Sequence, residues 1–424
     1  MTFVHSAPTS TGWVVLTRRV IDDGDLLAAL PVPDDALAWV RQGEGLIGWG
    51  VAARVEPTGP GRFAEADRWW REFTAGLAVS DEVGLPGTGP VAFVSLAFAD
   101  RPGRSVVVVP RTVIGRQGDT TWVTEITHRD DRARFTSLPQ PGTETGTVLP
   151  VRRPSVVRYA EGQLPVTGYR EAVRKAVARM RAGELDKVVL AHDLVAATEE
   201  PIDARFLLRN LALRYPSCWT FAVDGLIGAT PELLLRRSGP VVSSRVLAGT
   251  SWPRAGVDTD QVAAGLLASP KDRHEHTYAV QSLADSLRPF CSDLSVPEEP
   301  YVLRLPNVLH LASDVTGHVA GDASLLQLAE AVHPTAAVGG TPTPDAVRLI
   351  SELEGMDRGR YAGPVGWVDA NGDGELGIAL RCAEVAGTSA RLFAGCGIVA
   401  DSDPDTEVHE AAAKLLPIRD ALEG

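Results

Sequence analysis

Three strand-like runs crowd the end of the chain: YAGPVGWVD (361–369), ELGIALRCAEV (375–385) and ARLFAGCGIVA (390–400). The gaps between them are far shorter than the dozen or more residues that a parallel crossover needs, so an antiparallel meander is expected. Upstream, helical and strand-like segments alternate. YREAVRKAVARMRAG (169–183) puts Tyr169, Val173, Ala176, Val177 and Met180 on one helical stripe, with Gly183 as its stop. KVVLAHDLVA (187–196) reads as a strand, and DARFLLRNLALRYP (203–216) as a helix capped by Asp203. WTFAVDGLIGAT (219–230) has the pattern of a hairpin turning at Asp224-Gly225, and ELLLRRSGPVVSSRVLAGT (232–250) that of another strand pair. SPKDRHEHTYAVQSLADSL (269–287) and DPDTEVHEAAAKLLPIRDAL (403–422) read as helices, the second with Asp403 as N-cap and Pro404 in its first position. Helices interleaved with short-linked strands predict an α+β fold on large antiparallel β-sheets, not a parallel doubly wound sheet.

Residues 1–160 are less regular. They contain the strand-like runs VVLTRRVI (14–21), VAFVSLAFA (91–99) and SVVVVPRTVIG (105–115), and a Pro/Gly/Thr-rich stretch, SLPQPGTETGTVLP (137–150), that reads as a loop or linker. Nothing in them points to chemistry. With 44% hydrophobic and 22% charged residues, the 424-residue chain has material for a large core. No apolar run is long enough for a membrane span, and MTFVHSAPTS lacks the pattern of a secretory signal. The net charge of -13, without a Lys/Arg cluster, argues against a nucleic-acid partner. Cys218, Cys291, Cys382 and Cys396 form no CxxC pair, so reduced thiols in a cytoplasmic protein are expected.

Several constellations could carry chemistry. Glu407, Glu410 and Lys414 fall within roughly 60° of one another around the last helix. Two adjacent carboxylates repel unless a cation lies between them, although a solvated helix face has the same spacing. Asp272 and Glu275 make a second i, i+3 acidic pair. Two helices offering carboxylates suit a hard divalent cation such as Mg²⁺, which takes oxygen ligands and shares them with an anionic substrate. His274 and His276 are two apart, so they do not form the HExxH zinc pattern. Lys187 opens an apolar strand; it either snorkels at the strand end or is desolvated, with a lowered pKa that would make it a base. Glu232 precedes three leucines and is either an edge carboxylate or an acid with a raised pKa. DANGDG (369–374) imitates the start of an EF-hand loop, but the twelfth position is Leu380, so a polar hairpin turn is expected.

Taken together, these residues resemble the chorismate-binding enzymes over roughly residues 165–424. The resemblance runs through DKVVLA (186–191), GATPE (228–232), LAGT (247–250), SPKDRHEH (269–276), LPNVLHL (305–311), HPTAAVGGTP (333–342), RGRYAGPVGW (358–367), ALRCAEV (379–385), AGCGIVADSDPDTE (394–407) and EVHEAAAK (407–414). Within that family the chain is most similar to isochorismate synthases. Members that transfer ammonia, such as anthranilate and aminodeoxychorismate synthases, usually lack the lysine found here at 187, so water is the implied nucleophile. Salicylate synthases share that lysine but typically carry threonine where this chain has Ala337. Salicylate synthase, which goes on to eliminate pyruvate, is the rival enzyme. A non-catalytic chorismate-binding module is the rival of another class.

The resemblance implies a single domain spanning 1–424, with large antiparallel sheets packed face to face and outer helices. Residues 1–160 form its variable N-terminal portion and 161–424 its catalytic core. It implies that Lys187 takes a proton from water attacking C2 of chorismate, while Glu232 protonates the departing C4 hydroxyl. Mg²⁺ would be held by Glu275 and Glu410, with Asp272 and Glu407 in support through water. Arg381 and Tyr361, with backbone N–H groups near Gly395 and Gly397, would hold the enolpyruvyl carboxylate. Lys414 would add positive charge, and Thr250, His310 and Ala337 would line the same cavity; on spacing alone His310 reads as a core histidine. The implied partner is the small molecule chorismate, feeding siderophore, menaquinone or another secondary pathway. A monomer is expected, without a glutamine amidotransferase subunit and without a membrane or nucleic-acid partner.

Overall fold

A computed structural model describes residues 12–21, 24–101, 103–129, 149–251, 256, 258–305 and 308–424. The opening segment, most of the linker read at 137–150, and Pro306 and Asn307 lie outside the described residues. Among the described residues the strands form one 13-stranded and one 10-stranded sheet. Pairing is antiparallel except where Trp13–Val20 runs parallel to Ala78–Asp81 at the edge of the larger sheet.

In the larger sheet Lys187–Thr198 lies beside Ser389–Ile398, in register from Val188 opposite Ile398 to Ala197 opposite Ser389. Cys382–Ala386, Leu226–Thr230 and Trp219–Val223 follow in order. The sheet then continues into Leu37–Arg41, Glu44–Trp49, Thr112–Gln117 and Thr120–His128 from the N-terminal portion. In the smaller sheet Val241–Ser251 lies between Val308–Val319 and Leu233–Ser238, and the order continues through Gly374–Ile378, Pro364–Asp369 and Val91–Ser95. Strands from before residue 130 therefore extend both sheets. The sheets pack on each other: the indole N–H groups of Trp39 and Trp219, in the larger, donate to Glu375 of the smaller at 2.7 and 2.9 Å.

The helices follow their sequence signals. Val166–Arg181 buries Tyr169, Val173, Ala176, Val177 and Met180. Asp203 caps Ala204–Arg214, accepting from the Arg205 N–H at 3.0 Å, and Asp403 caps Pro404–Glu423, accepting from the Thr406 N–H at 2.8 Å. Pro270–Leu287 starts at Ser269 and packs on the smaller sheet, while Val166–Arg181 and Pro404–Glu423 pack on the larger. The DANGDG segment is a turn: the Asp369 carboxylate accepts the N–H groups of Gly87, Asn371 and Asp373 at 3.0, 2.9 and 3.0 Å.

Two expectations need correction. The run at 105–115 is two strands, Val106–Val109 and Thr112–Gln117, in different sheets; Pro110, which has no N–H to give a ladder, separates them. The terminal meander is likewise broken. Gly374–Ile378 pairs with Pro364–Asp369 in the smaller sheet, whereas Cys382–Ala386 pairs with Ser389–Ile398 in the larger. The chain crosses between the sheets at Ala379-Leu380-Arg381, where Arg381 adopts φ 49°. Alternation of apolar residues records that a segment is a strand, not which sheet it joins. The crossing places Arg381 between the layers.

Candidate active site

Near that crossing is a cleft of about 230 Å³, room for one small molecule. Its lining includes Lys187, Glu232, Thr250, Asp272, Glu275, His310 and Ala337. It also includes Tyr361, Arg381, Gly395, Gly397, Glu407, Glu410 and Lys414. The candidate catalytic, substrate-binding and metal-binding residues named from the sequence thus meet in one place.

Lys187 opens its strand, and its amine donates to Glu275 of helix Pro270–Leu287 at 2.5 Å. The lysine side chain is largely removed from solvent and has a counter-charge; the sequence did not reveal that partner, because a charged neighbour from a distant helix leaves no local trace in the strand. Burial would raise the Glu275 pKa, but the charge and hydrogen bond of Lys187 outweigh it and hold the carboxyl below its ordinary value. Gly397 keeps the lane of this lysine open, because a Cβ there would meet Lys187 Cε at 2.9 Å.

Glu232 follows Pro231 at the start of Leu233–Ser238 and is buried. Burial pushes its pKa up to about 8, against the opposing pull of Lys187, the Leu247 N–H, Arg381 and Lys414. At neutral pH it keeps its proton, which is the state a general acid needs. The edge-carboxylate reading is thereby overturned.

The cations and neutral donors lie on other walls. Arg381 is half-buried, and the desolvation of its guanidinium lowers its pKa. Lys414 reaches back from helix Pro404–Glu423 to donate to the Gly395 carbonyl at 3.0 Å and to Glu410 at 2.7 Å. Tyr361 stacks on Phe393 with centroids 5.1 Å apart and planes 7° apart; burial raises its pKa, so it remains a protonated donor. Gly395 has no room for a side chain, since a Cβ would lie 3.1 Å from the Tyr361 hydroxyl and 2.8 Å from the Leu190 carbonyl. His310 Nδ1 and Thr250 Oγ1 are 3.1 Å apart. Burial, aided by Arg381 and Lys414, lowers the His310 pKa to about 3, so the ring is neutral.

The acidic wall comes from two helices. Ligand atoms of Glu407, Glu410 and Cys396 lie within 4.8 Å of one another. Burial raises the Glu407 pKa and Glu410 raises it further, while the Ser402 hydroxyl donates to it at 2.8 Å. Burial pushes the Cys396 thiol up to about 12, so it stays protonated and leaves carboxylate oxygens as the useful donors. That donor set fits a hard divalent cation. Asp272, in the first turn of its helix, lies across from Gly249, where a Cβ would be 3.1 Å from Asp272 Cβ.

Sequence reasoning missed Lys271, Arg358 and Ser402, which also line the cleft. Lys271 sits beside Asp272; its charge helps lower the Glu275 pKa and opposes the rise at Glu407. Proximity to an acidic pair was the available signal.

A sequence profile described as "Chorismate binding enzyme" matches residues 29–423. The chain belongs to the chorismate-binding enzymes. Isochorismate synthase DhbC of Bacillus subtilis is 43% identical to this chorismate-binding enzyme over 268 residues, covering 60% of this chain and 67% of that protein. The salicylate biosynthesis isochorismate synthase of Pseudomonas aeruginosa is 31% identical over 436 residues, covering 95% and 88%. Among solved structures, DhbC of Bacillus anthracis superposes with a TM-score of 0.75 at 30% identity, over 93% of this chain and 98% of that one. MenF, the menaquinone-specific isochorismate synthase of Escherichia coli, has a TM-score of 0.81 over 99% and 96%; at 24% identity it speaks for the shared fold of this chorismate-binding enzyme.

Proposed function

We propose that the enzyme converts chorismate to isochorismate. Water adds at C2 of the ring and gives a proton to the Lys187 amine. The ring double bonds migrate, the C4–O bond breaks, and the Glu232 carboxyl protonates the departing hydroxyl. One water enters and one leaves, so the net change is an isomerisation. Lys187 accepts a proton only as the free amine, so turnover requires its pair with Glu275 to give up a proton first. The observation that carries this reading is the burial of Glu232, which raises its pKa, in the same cleft as the Lys187 amine. The names of the relatives agree with it.

Chorismate is a dianion and the chain is acidic, so local cations must bind it. Arg381, a planar fork matched to a carboxylate, and Lys414 suit that task, with Tyr361 as a neutral donor. Glu275, Glu410, Asp272 and Glu407 would hold Mg²⁺, which when bound supplies positive charge to offset the ring carboxylate. With water as nucleophile the enzyme needs no glutamine amidotransferase, and we infer a cytoplasmic monomer. All four cysteines are free, in keeping with that compartment. No helix among the described residues is long and apolar enough to cross a membrane.

Incubation with chorismate and Mg²⁺ tests the product. Isochorismate without salicylate fluorescence is the expected outcome. Strong salicylate formation at neutral pH, with no lyase added, would make the enzyme a salicylate synthase instead.

A further inference from the structure

The strand that carries Lys187 has an incomplete outer edge. Its inner edge pairs with Ser389–Ile398 along nearly its whole length. On the outer edge Gly340–Thr341 pairs only with Lys187 and Val188, and Val157–Glu161 only with Leu194 to Thr198. Between them, among the described residues, no strand covers Val189 to Asp193. Buried backbone groups there must still be satisfied. The Val189 N–H donates to the Gly339 carbonyl at 2.9 Å. Two side chains meet the next groups: Arg358 Nη2 donates to the Val189 carbonyl at 2.7 Å, and Glu354 Oε1 accepts from the Ala191 N–H at 2.8 Å.

These two side chains form one unit. Arg358 Nη2 and Nε donate to Glu354 at 2.5 and 2.9 Å, and Nη1 donates to the Val338 carbonyl at 3.1 Å. The guanidinium lies 4.3 Å from the centroid of the Phe98 ring. Both residues are about 3% exposed. A carboxylate and a guanidinium side by side present an acceptor and a donor at the spacing of a neighbouring strand's backbone. Val338 adjoins Ala337, and Val189 lies two residues along from Lys187, on the same face of the strand.

We propose that Glu354 and Arg358 are positioning residues that stand in for a missing strand and fix the Lys187 amine against the substrate, a role that rests on the isochorismate synthase reading. Neither touches the reacting atoms.

The test uses the full chain and two conservative variants, with kcat expressed per chorismate-binding site so that unfolded protein does not count. Glu354→Gln loses the ion pair and leaves the Ala191 N–H only a weaker, neutral acceptor that Arg358 no longer holds in place. Arg358→Lys keeps the charge, but one ammonium cannot span Val189, Val338 and Glu354. Each is expected to lower kcat by about 10- to 100-fold, the scale of a roughly 1 Å misplacement, with KM changed less than about twofold. A folded variant with near-parental kcat, or one in which KM rises as steeply as kcat falls, would overturn the role. Amide hydrogen exchange supplies a readout independent of turnover. In the parent, Ala191 is expected to exchange as slowly as the amides paired to Ser389–Ile398, and selectively faster in Glu354→Gln; fast exchange at Ala191 in the parent would refute the clamp. If the parent makes no isochorismate, the proposed reaction fails, while this exchange measurement still judges the clamp.

Discussion

Glu232 shows how one buried carboxyl couples pH to both turnover and stability. Its pKa in the fold is about 8, against an ordinary 4.5. Between those values the unfolded chain has lost a proton that the folded chain keeps, so stability falls as pH rises and levels off above about 8. Turnover that needs the protonated acid should fall through the same upper value. Glu232→Gln removes the titration but retains the shape. Its kcat should drop by about 10²- to 10⁴-fold, the usual worth of a positioned acid. Its stability should vary less with pH between 4.5 and 8 than the parent's, which thermal melts across that range would measure. A variant with parental kcat would remove Glu232 from the acid role. The raised pKa was partly legible, since a glutamate beside three leucines offers little solvent. The Lys187–Glu275 contact was not, because 88 residues separate the partners and only the fold joins them.

Elements explain why some site residues can be read from the sequence and others cannot. A helix writes its buried stripe every three to four residues, so Tyr169 to Met180 and the Glu407–Glu410–Lys414 face are visible in the sequence alone. Loops leave no such record. Ser402 and Arg358 sit between elements, and neither has a period to betray it. Strand glycines are legible only through a neighbour: Gly397 matters because the strand opposite carries Lys187. Gly397→Ala should push the flexible lysine tip aside while leaving the sheet intact. A loss of about 100-fold in kcat with a nearly unchanged melting temperature is expected, and unaltered kcat would show that the lysine lane has slack. On the last helix, Glu410→Gln should weaken the dependence of rate on Mg²⁺ concentration sharply. An unaffected Mg²⁺ titration would count against that carboxylate as a ligand.

At the scale of the molecule, two large sheets meet so that the cleft draws on both. Glu232, Thr250 and His310 come from the smaller sheet or its margin, and Lys187, Gly395 and Gly397 from the larger. The α+β class and antiparallel pairing followed from short gaps and alternation. The crossing at Ala379-Leu380-Arg381 did not, because one continuous apolar run serves two sheets. The strands before residue 130 were visible, but their place in both sheets depends on long-range pairing. All of this geometry converges on one chemical claim, that water enters at C2 as the C4 hydroxyl leaves. Turnover of chorismate in ¹⁸O-labelled water, with mass analysis of the isochorismate formed, tests it directly. The account predicts one ¹⁸O atom per product molecule, carried on C2. Isochorismate that forms without label would contradict it.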